Sequence, residues 1–529
     1  MMYAAATPAA TPAVKQLFAD FERAQQINAE NLKAILAENR DTVYGQRFGF
    51  AEIHSAEEYS ERVPLTDYSA YEELVYEPNG VTAYPIEYML MTSGTTNKQK
   101  LVPMTTEMLR RLSTMPQDLP FYLGNVQGMS LHLSVFRNPI EGKMLISSAY
   151  YHHLKNTGGI NGADYVGGLE LLYGDDITDQ GYVKLWLALS CPELKHIQAM
   201  YLYDVLLFFR YLQDNWVSVL LDMRRGCISA DLPEHVKAEL LKYRASEAEI
   251  DRMSAELKKG FDTPIAPRLW KNLQQITGIG GKMFAMHEEA LRGYIGDTPV
   301  CYFTYAASEC VMALPVELNK PQYAIIPSSA YYEFFDVETE KVMSMAEVEV
   351  GRKYAIVLTT FSGLYRYMMN DVITVVGIHG EAPVIEISGR YKNLLNAAGE
   401  KIDEATMREA VRIWAEHMEL QLDDFATGVD MRSAPSRYHV FVETRSPMAD
   451  AGQLAYAFDE ALRSVSPDYE DVRNLKMLAT PHIHVLPYGS ISSSKAAIGV
   501  KASHTKAQVF LSEAQTDYLI KRSEIHEEQ

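Results

Sequence analysis

At 529 residues, 47% of them hydrophobic and 22% charged, the chain is long enough to build two or more domains with ample buried interior. Its 49 basic residues against 69 acidic ones, a formal net charge of −20, argue against nucleic acid or an anionic membrane as principal partner, but a small anion can still be held by a local positive loop. Cys191, Cys227, Cys301 and Cys310 are far apart and lack Cys-x-x-Cys spacing, so neither a disulfide framework nor a zinc site is indicated and a reducing cytoplasm fits.

Residues 1–13 are rich in Ala, Thr and Pro without the basic-then-apolar layout of a secretory signal, and read as a disordered tail. Leu17, Phe18, Phe21, Ile27, Leu32, Ile35 and Leu36 recur near helical spacing, which predicts one amphipathic helix over 14–39. Short apolar runs at 88–91 and 101–104 read as strands. The apolar stretch 199–223 contains Asp204, Arg210, Asp214 and Asp222, so it is expected to be a buried helix and not a membrane span. Residues 231–259 are charged and helix-favouring. Aromatic and β-branched runs predict strands at 300–305, 331–337, 353–360 and 372–376. Beyond Gly389 the order is helix 403–417, strand 438–443, helix 454–465 and strand 482–486, which suggests a small α+β domain. The expected organisation is a large domain over 14–388, a hinge at 389–392 and a smaller domain over 393–529.

Between the first two strands lies Thr92-Ser93-Gly94-Thr95-Thr96-Asn97-Lys98-Gln99-Lys100. Gly94 lets the backbone approach an anion, the hydroxyls and nearby N–H groups can donate to phosphate oxygens, and Lys98 or Lys100 adds positive charge. A P-loop needs Gly-Lys-Ser/Thr followed at once by a helix. Here Leu101-Val102-Pro103-Met104 follows, so the loop joins two strands and a P-loop ATPase is excluded.

Two further motifs bear on this loop. Tyr305-Ala306-Ala307-Ser308-Glu309 ends a predicted strand, where a tyrosine can stack on a purine and a carboxylate can hold Mg2+ between phosphates. Leu364-Tyr365-Arg366-Tyr367-Met368-Met369-Asn370-Asp371 precedes another strand, and a carboxylate such as Asp371 can accept both hydroxyls of a ribose.

In this order the three motifs resemble those of the adenylate-forming (firefly luciferase-like) enzymes: Ser/Thr-Ser-Gly-Thr-Thr, Tyr-x-x-Ser/Thr-Glu and Tyr-Arg-x-x-Gly-Asp. A closer resemblance, over roughly residues 15–515, is to the Gretchen Hagen family of acyl-acid amido synthetases, the auxin-responsive family also found in bacteria. It is carried by residues 121–151 ending Met144-Leu145-Ile146-Ser147-Ser148-Ala149-Tyr150-Tyr151, by Tyr331-Tyr332-Glu333-Phe334-Phe335, and by 371–379 with Glu400-Lys401-Ile402-Asp403-Glu404.

The resemblance implies an α/β fold: a large N-terminal adenylate-forming domain with mixed sheets and a β-barrel-like part, and a smaller mobile α+β C-terminal lid. It implies ATP and Mg2+ as cofactors, with Thr92, Ser93, Gly94, Thr95, Thr96 and Lys100 around the phosphates. Tyr305 and Ser308 would border the nucleotide, Glu309 would meet Mg2+ as a catalytic residue, and Asp371 would bind the ribose. Arg390 and Lys392 match a Gly-Arg-x-Lys hinge. Lys506 aligns with the lysine of a Tyr-Lys-x-x-Arg segment whose arginine is missing here, and Lys392 and Lys506 are the candidate catalytic lysines. The acyl pocket is expected among Phe136, Tyr150, Tyr151, Val311, Tyr323 and Tyr332, whose character suits a flat or apolar acid. Expected partners are a small carboxylic acid and an amine, an amino acid foremost, for a monomer or weak dimer. Asn97 and Gln99 depart from the usual Gly and Pro of the loop and Asn370 from the glycine before the ribose aspartate, although Asn tolerates left-handed backbone angles.

Two other functions share these motifs, a ligase that passes the acyl group to coenzyme A and a degenerate nucleotide-binding regulatory protein. His482-x-His484 puts two imidazoles on one strand face with no carboxylate or cysteine at ligand spacing, and is read as structural. The side chains of His152-His153 point apart, Asp175-Asp176 lacks the spaced oxygens of a calcium loop, and no Gly-x-Ser-x-Gly elbow supports a hydrolase.

Overall fold

The computed structural model of the chain describes residues 12–91, 100–115, 128–134, 143–144, 162–168, 171, 177, 179–281, 285–391, 394–395, 397–398, 400–430, 435–444, 450–474, 476–497 and 508–527. It divides into two compact units, Met1–Gly281 with Leu291–Ile387, and Lys282–Ala290 with Ser388–Gln529.

The first unit holds three sheets. In the smallest, β1 (Ile86–Met91) pairs antiparallel with β2 (Leu101–Thr105) in the register Met91 to Leu101 and parallel with β4 (Lys143–Met144). Loop 92–99 therefore joins two neighbouring strands, as the apolar run after it requires. A second sheet is parallel throughout, in the order β3 (Ser130–His132), β5 (His196–Tyr201), β6 (Gln275–Ile279), β7 (Val300–Tyr302). Helices Gln180–Ser190, Leu202–Arg225 and Ala285–Ile295 fall between its strands, as parallel crossovers demand.

The third sheet has eight strands: β8 (Tyr305–Ala306), β9 (Val311–Pro315), β10 (Tyr323–Ile325), β11 (Ala330–Asp336), β12 (Val342–Met343), β13 (Lys353–Thr360), β14 (Tyr367–His379) and β15 (Ala382–Arg390). Their spatial order is β12-β11-β13-β14-β15-β10-β9-β8. Four strand steps separate β14 from edge strand β8, about 19 Å in a flat sheet at the usual strand spacing. Yet Tyr305 of β8 hydrogen-bonds Asp371 of β14 at 2.8 Å, so the sheet curls strongly upon itself, in keeping with the barrel-like expectation.

Several boundaries differ from those read in the sequence, among them the strand expected over 372–376, which runs over Tyr367–His379 and so contains Asp371. The expected helix over 14–39 is two helices, Pro12–Phe21 and Ala24–Asn39. The break frees the Phe21 carbonyl to accept from the Glu381 amide at 2.8 Å in the β14–β15 turn, where a Cβ on Gly380 (φ +60°) would come within 2.5 Å of that carbonyl. The stretch 199–223 is the end of β5 and then a helix, whose Asp204 accepts from the Tyr201 amide at 3.3 Å; burial pushes this carboxyl up to about 7. The strand expected over 300–305 is split between β7 and β8, which belong to different sheets. The strand at 353–360 stands as read.

In the second unit β18 (Leu422–Asp430) pairs antiparallel with β19 (Arg437–Thr444), which pairs parallel with β20 (His482–Leu486). The short pair β16 (Leu394–Leu395) and β17 (Ile402–Asp403) precedes them. Alternation sends Val440 and Val442 into a core with Trp414 and Phe458 of helices Glu404–His417 and Ala451–Val465. Phe441 packs on the other face with Leu519 of helix Glu513–Glu527. Asp403 caps the first of these helices by accepting from the Thr406 amide at 2.7 Å.

Candidate functional site

The site residues that can be described are gathered at the mouth of loop 92–99. Ser308 and Glu309 form the tip of the β8–β9 hairpin, closed by reciprocal backbone bonds between Ala307 and Cys310 of 2.9 and 3.2 Å. The Ser308 hydroxyl donates to the carbonyl of Met91, the last described residue before the loop, at 3.2 Å. On the loop's far side the Tyr68 hydroxyl donates to the Leu101 carbonyl and accepts from the Leu101 amide, both at 2.7 Å. The ammonium of Lys100 lies 5.6 Å from the Tyr68 ring centroid. Both ends of the loop are thus fixed by side chains from elsewhere in the chain, Ser308 at one and Tyr68 at the other.

β14 supplies the opposite wall. Val357 of β13 pairs with Met368 and Ala355 with Val372, so three residues of β14 face Ile356 alone. Within this bulge Asn370 has φ +63°, the left-handed geometry that the replaced glycine would also adopt. Asp371 follows, and one of its carboxylate oxygens accepts the Tyr305 hydroxyl at 2.8 Å. Tyr367, one turn of the bulge earlier, donates to Glu309 at 3.3 Å. Tyr367 was not singled out in the sequence; its place two residues after Tyr365 in the ribose motif was the available signal.

Arg366 of the same motif has a different task. Its guanidinium is buried, pairs with Glu333 at 3.0 Å, and donates to the carbonyls of Ser60 and Val63, each at 2.8 Å. Thr66 accepts from the Met368 amide and donates to the Arg366 carbonyl, both at 2.9 Å. Two of the sequence stretches, those containing Glu333 and Arg366, therefore meet as a buried ion pair that anchors the start of β14.

Among the described residues, two carboxylates, Glu309 and Asp371, lie close enough to repel, with Lys100 and Arg111 nearby. Burial pushes the Glu309 carboxyl above the ordinary carboxylate range, and the negative charge of Asp371 pushes the same way against the weaker opposing pull of Lys100. An oxygen-rich, electron-rich pocket of this kind suits a cation that neutralises both carboxylates.

Val311 lines a small cavity beside Glu309 together with Met108, Leu112, Phe361 and Arg111. The Arg111 guanidinium sits 3.5 Å from the Phe361 ring centroid and bonds Glu107 at 2.8 Å and the Ser328 carbonyl at 2.5 Å. No sequence signal marked Arg111 beyond its helical spacing from Glu107. Tyr332 is fully buried with its hydroxyl on the Met312 carbonyl at 3.2 Å. Tyr323 is also core, its ring centroid 6.3 Å from that of Tyr305. Thr92, Ser93, Gly94, Thr95, Thr96, Asn97, Gln99, Phe136, Tyr150, Tyr151, Lys392 and Lys506 lie outside the described residues, as does the side chain of Arg390.

Sequence models of the GH3 family N-terminal, central and C-terminal domains match residues 13–300, 323–390 and 404–515. The chain belongs to the GH3 family. Among curated GH3 relatives, the chain is 24% identical to the jasmonoyl–L-amino acid synthetase GH3.5 of Oryza sativa subsp. japonica, with 88% of each chain covered. It is 28% identical to the indole-3-acetic acid-amido synthetase GH3.15 of Arabidopsis thaliana, over 81% of this chain and 78% of the relative. Among solved structures, an AtGH3.15 acyl acid amido synthetase in complex with 2,4-DB superposes with a TM-score of 0.84 at 24% identity, covering 98% of both chains. A 2-hydroxyisobutyryl-CoA ligase in the postadenylation state shares the fold with a TM-score of 0.52 at 11% identity, over 97% of this chain and 92% of that one. The GH3 fold thus comprises the large mixed α/β part and the smaller C-terminal part described above. Among the described residues no helix is long and apolar enough to cross a membrane.

Proposed function

We propose that this chain is an ATP-dependent acyl acid amido synthetase that adenylates a carboxylic acid and transfers the acyl group to an amine, an amino acid foremost. The observation that carries this reading is that one hairpin brings Tyr305 to Asp371, Glu309 to Tyr367 and Ser308 to the Met91 carbonyl at the start of loop 92–99, in a chain whose relatives are named amido synthetases.

Acid and ATP are both anions, so their approach requires positive charge in the site. Lys100 supplies part of it at the root of the loop, and the hydroxyls and amides of residues 92–96 are the donors for phosphate oxygens. Asp371, one oxygen oriented by Tyr305, would accept from the ribose hydroxyls. Glu309 would hold Mg2+, which when bound offsets phosphate charge and polarises the phosphoryl group. The acid's carboxylate oxygen attacks the α-phosphorus, the bond to the β-phosphate bridge breaks and pyrophosphate leaves with the electron pair. The amine nitrogen then attacks the acyl carbon, loses a proton, and AMP departs with the bridging oxygen.

The cavity at Val311 and Phe361, with Arg111 in its wall, has a volume of about 10 Å³, room for one water and not for an acyl group, so it does not by itself locate the acid. Lys392 and Lys506 are the candidate lysines for the two half-reactions, delivered by a C-terminal lid turning at residues 389–392. The four cysteines are free thiols, which suits a reducing cytoplasm.

Incubation with ATP, Mg2+, a panel of aromatic and aliphatic acids and the amino acids, followed by product mass, tests the reading. An N-acyl amino acid with stoichiometric AMP is expected. Acyl-coenzyme A formation without any amide across the panel would assign the chain to the thioester-forming branch instead.

A further inference from the structure

A cluster that this chemistry does not use lies in the C-terminal unit. β19 and β20 run parallel with His439 opposite His482 and Phe441 opposite His484, so alternation sets three imidazoles on one sheet face. His439 and His484 are buried, His482 is exposed, and one ring nitrogen of each lies within 4.8 Å of the others. The ring centroids of His482 and His484 are 4.3 Å apart and those of His439 and His484 are 5.0 Å apart. Sequence spacing showed only two of the three, because the third comes from a neighbouring strand.

The hydrogen bonds indicate which nitrogens face inward. Ser523 donates its one hydroxyl hydrogen to the Ile520 carbonyl at 2.8 Å, so it offers a lone pair to His484 Nδ1, also at 2.8 Å. His484 Nδ1 therefore carries the hydrogen and Nε2 is a bare lone pair. That Nε2 lies 2.7 Å from His439 Nδ1. On the far side of His439, Nε2 is 3.8 Å from the Asp430 carboxylate, beyond hydrogen-bond reach, so His439 Nδ1 carries the ring hydrogen and donates to His484 Nε2.

A divalent cation can take the place of that hydrogen, which then moves to Nε2 on the Asp430 side and leaves both facing nitrogens with lone pairs for the ion. The outward nitrogen of His484 is held by the Ser523 hydroxyl, and that of His439 faces Asp430 at 3.8 Å, which would close to a hydrogen bond once the ring turns toward an ion, the outer support that metal-ligating histidines carry. The inner wall is close-fitting: a Cβ on Gly428, which pairs with His439, would come within 2.1 Å of Thr516 Oγ1 on the covering helix.

We propose that His439, His482 and His484 bind one imidazole-preferring divalent transition cation, Zn2+ foremost, with the fourth position open to solvent beside His482. An all-nitrogen donor set selects Zn2+, Ni2+ or Cu2+ over Mg2+ and Ca2+, so this site does not compete for the cation of the nucleotide. Tetrahedral Zn–N bonds of about 2.0–2.1 Å place ligand nitrogens about 3.3 Å apart, so the inner pair opens by about 0.6 Å from the 2.7 Å seen here. The ion would tie β19 to β20 and, through Ser523, to helix Glu513–Glu527.

The full chain, free of any histidine tag and stripped with chelator, is titrated with Co2+ while the visible d–d bands are recorded, and then challenged with Zn2+. The expected result is one equivalent, the intense bands of a tetrahedral site, displacement by Zn2+ and a raised melting temperature. His482→Ala, at an exposed position that leaves the core intact, is expected to lower affinity at least about tenfold. Asp430→Asn should weaken binding by about tenfold through His439, with His417→Ala, on an exposed helix end, unchanged. Absence of tetrahedral bands, or equal affinity and stoichiometry in His482→Ala and the unaltered chain, would overturn the proposal.

Discussion

The phenolic hydroxyl of Tyr305 donates to a carboxylate oxygen of Asp371 across 2.8 Å, joining residues 66 positions apart. The bond spans the curl of the eight-stranded sheet and joins the motif that ends in Glu309 to the motif that ends in Asp371. It also orients the Asp371 carboxylate.

Tyr305→Phe keeps the ring and removes this donor. A hydrogen bond to a charged group contributes about 1.5–3 kcal/mol, so the KM for ATP should rise roughly tenfold or more with a smaller change in kcat. Asp371→Ala loses the ribose acceptor as well, and acid-dependent pyrophosphate exchange should fall by at least about a hundredfold while the fold is kept. Initial rates over a range of ATP concentrations check both. An unchanged KM in Tyr305→Phe would detach this bond from nucleotide binding.

Glu309 carries a pH dependence whose sign follows from its raised pKa. Below the ordinary carboxylate range it is neutral both folded and unfolded. As pH rises above that range, the folded state keeps a proton that the unfolded chain releases, so its contribution to stability is lost as pH climbs through the folded pKa. Glu309→Gln should therefore flatten the fall in thermal stability between acid and neutral pH in the absence of nucleotide, and greatly weaken adenylation. Melting temperatures from pH 4 to pH 8 with and without the substitution, alongside pyrophosphate exchange, test the pair of effects.

Asn370 sits in the β14 bulge at φ +63°. Asn370→Gly should be neutral or slightly stabilising and keep Asp371 in place. Asn370→Val forces a β-branched residue into left-handed geometry at about 1–2 kcal/mol and should also raise the KM for ATP. Denaturant midpoints and ATP titrations distinguish strain from loss of fold.

The Glu333–Arg366 pair at 3.0 Å is buried on both sides. Removing one partner, as in Glu333→Gln, leaves an uncompensated guanidinium and should cost about 3–5 kcal/mol. Replacing both, as in Glu333→Gln with Arg366→Met, should recover part of that loss in a chemical-denaturation series, because no unpaired charge then remains.

Tyr305, Ser308, Glu309 and Asp371 were legible as candidates because each lies in a short local motif, although Asp371 sits inside β14 and not ahead of a strand. Asn370 even announced its backbone conformation. What needed coordinates was everything set by strand register. The meeting of Tyr367 with Glu309, and of Glu333 with Arg366, depends on a three-residue bulge and on neighbours distant in sequence. The single helix read over 14–39 failed because its apolar spacing runs through Glu22 and Arg23 unbroken, whereas the break is dictated by a carbonyl bond to Glu381. Tyr323 and Tyr332 read as pocket residues because they lie close to the motifs in sequence, yet their strands are buried on both faces and both side chains lie in the core. The third histidine of the C-terminal cluster was hidden because only the pairing of β19 with β20 brings His439 to His482.

The most direct test of acyl-adenylate formation is the fate of the acid's oxygen. With an accepted acid labelled in its carboxylate with oxygen-18, together with ATP and an amino acid, the mass spectrum of the nucleotide product should show AMP carrying one labelled oxygen. Label in inorganic phosphate with ADP as the nucleotide product, or unlabelled AMP, would contradict it.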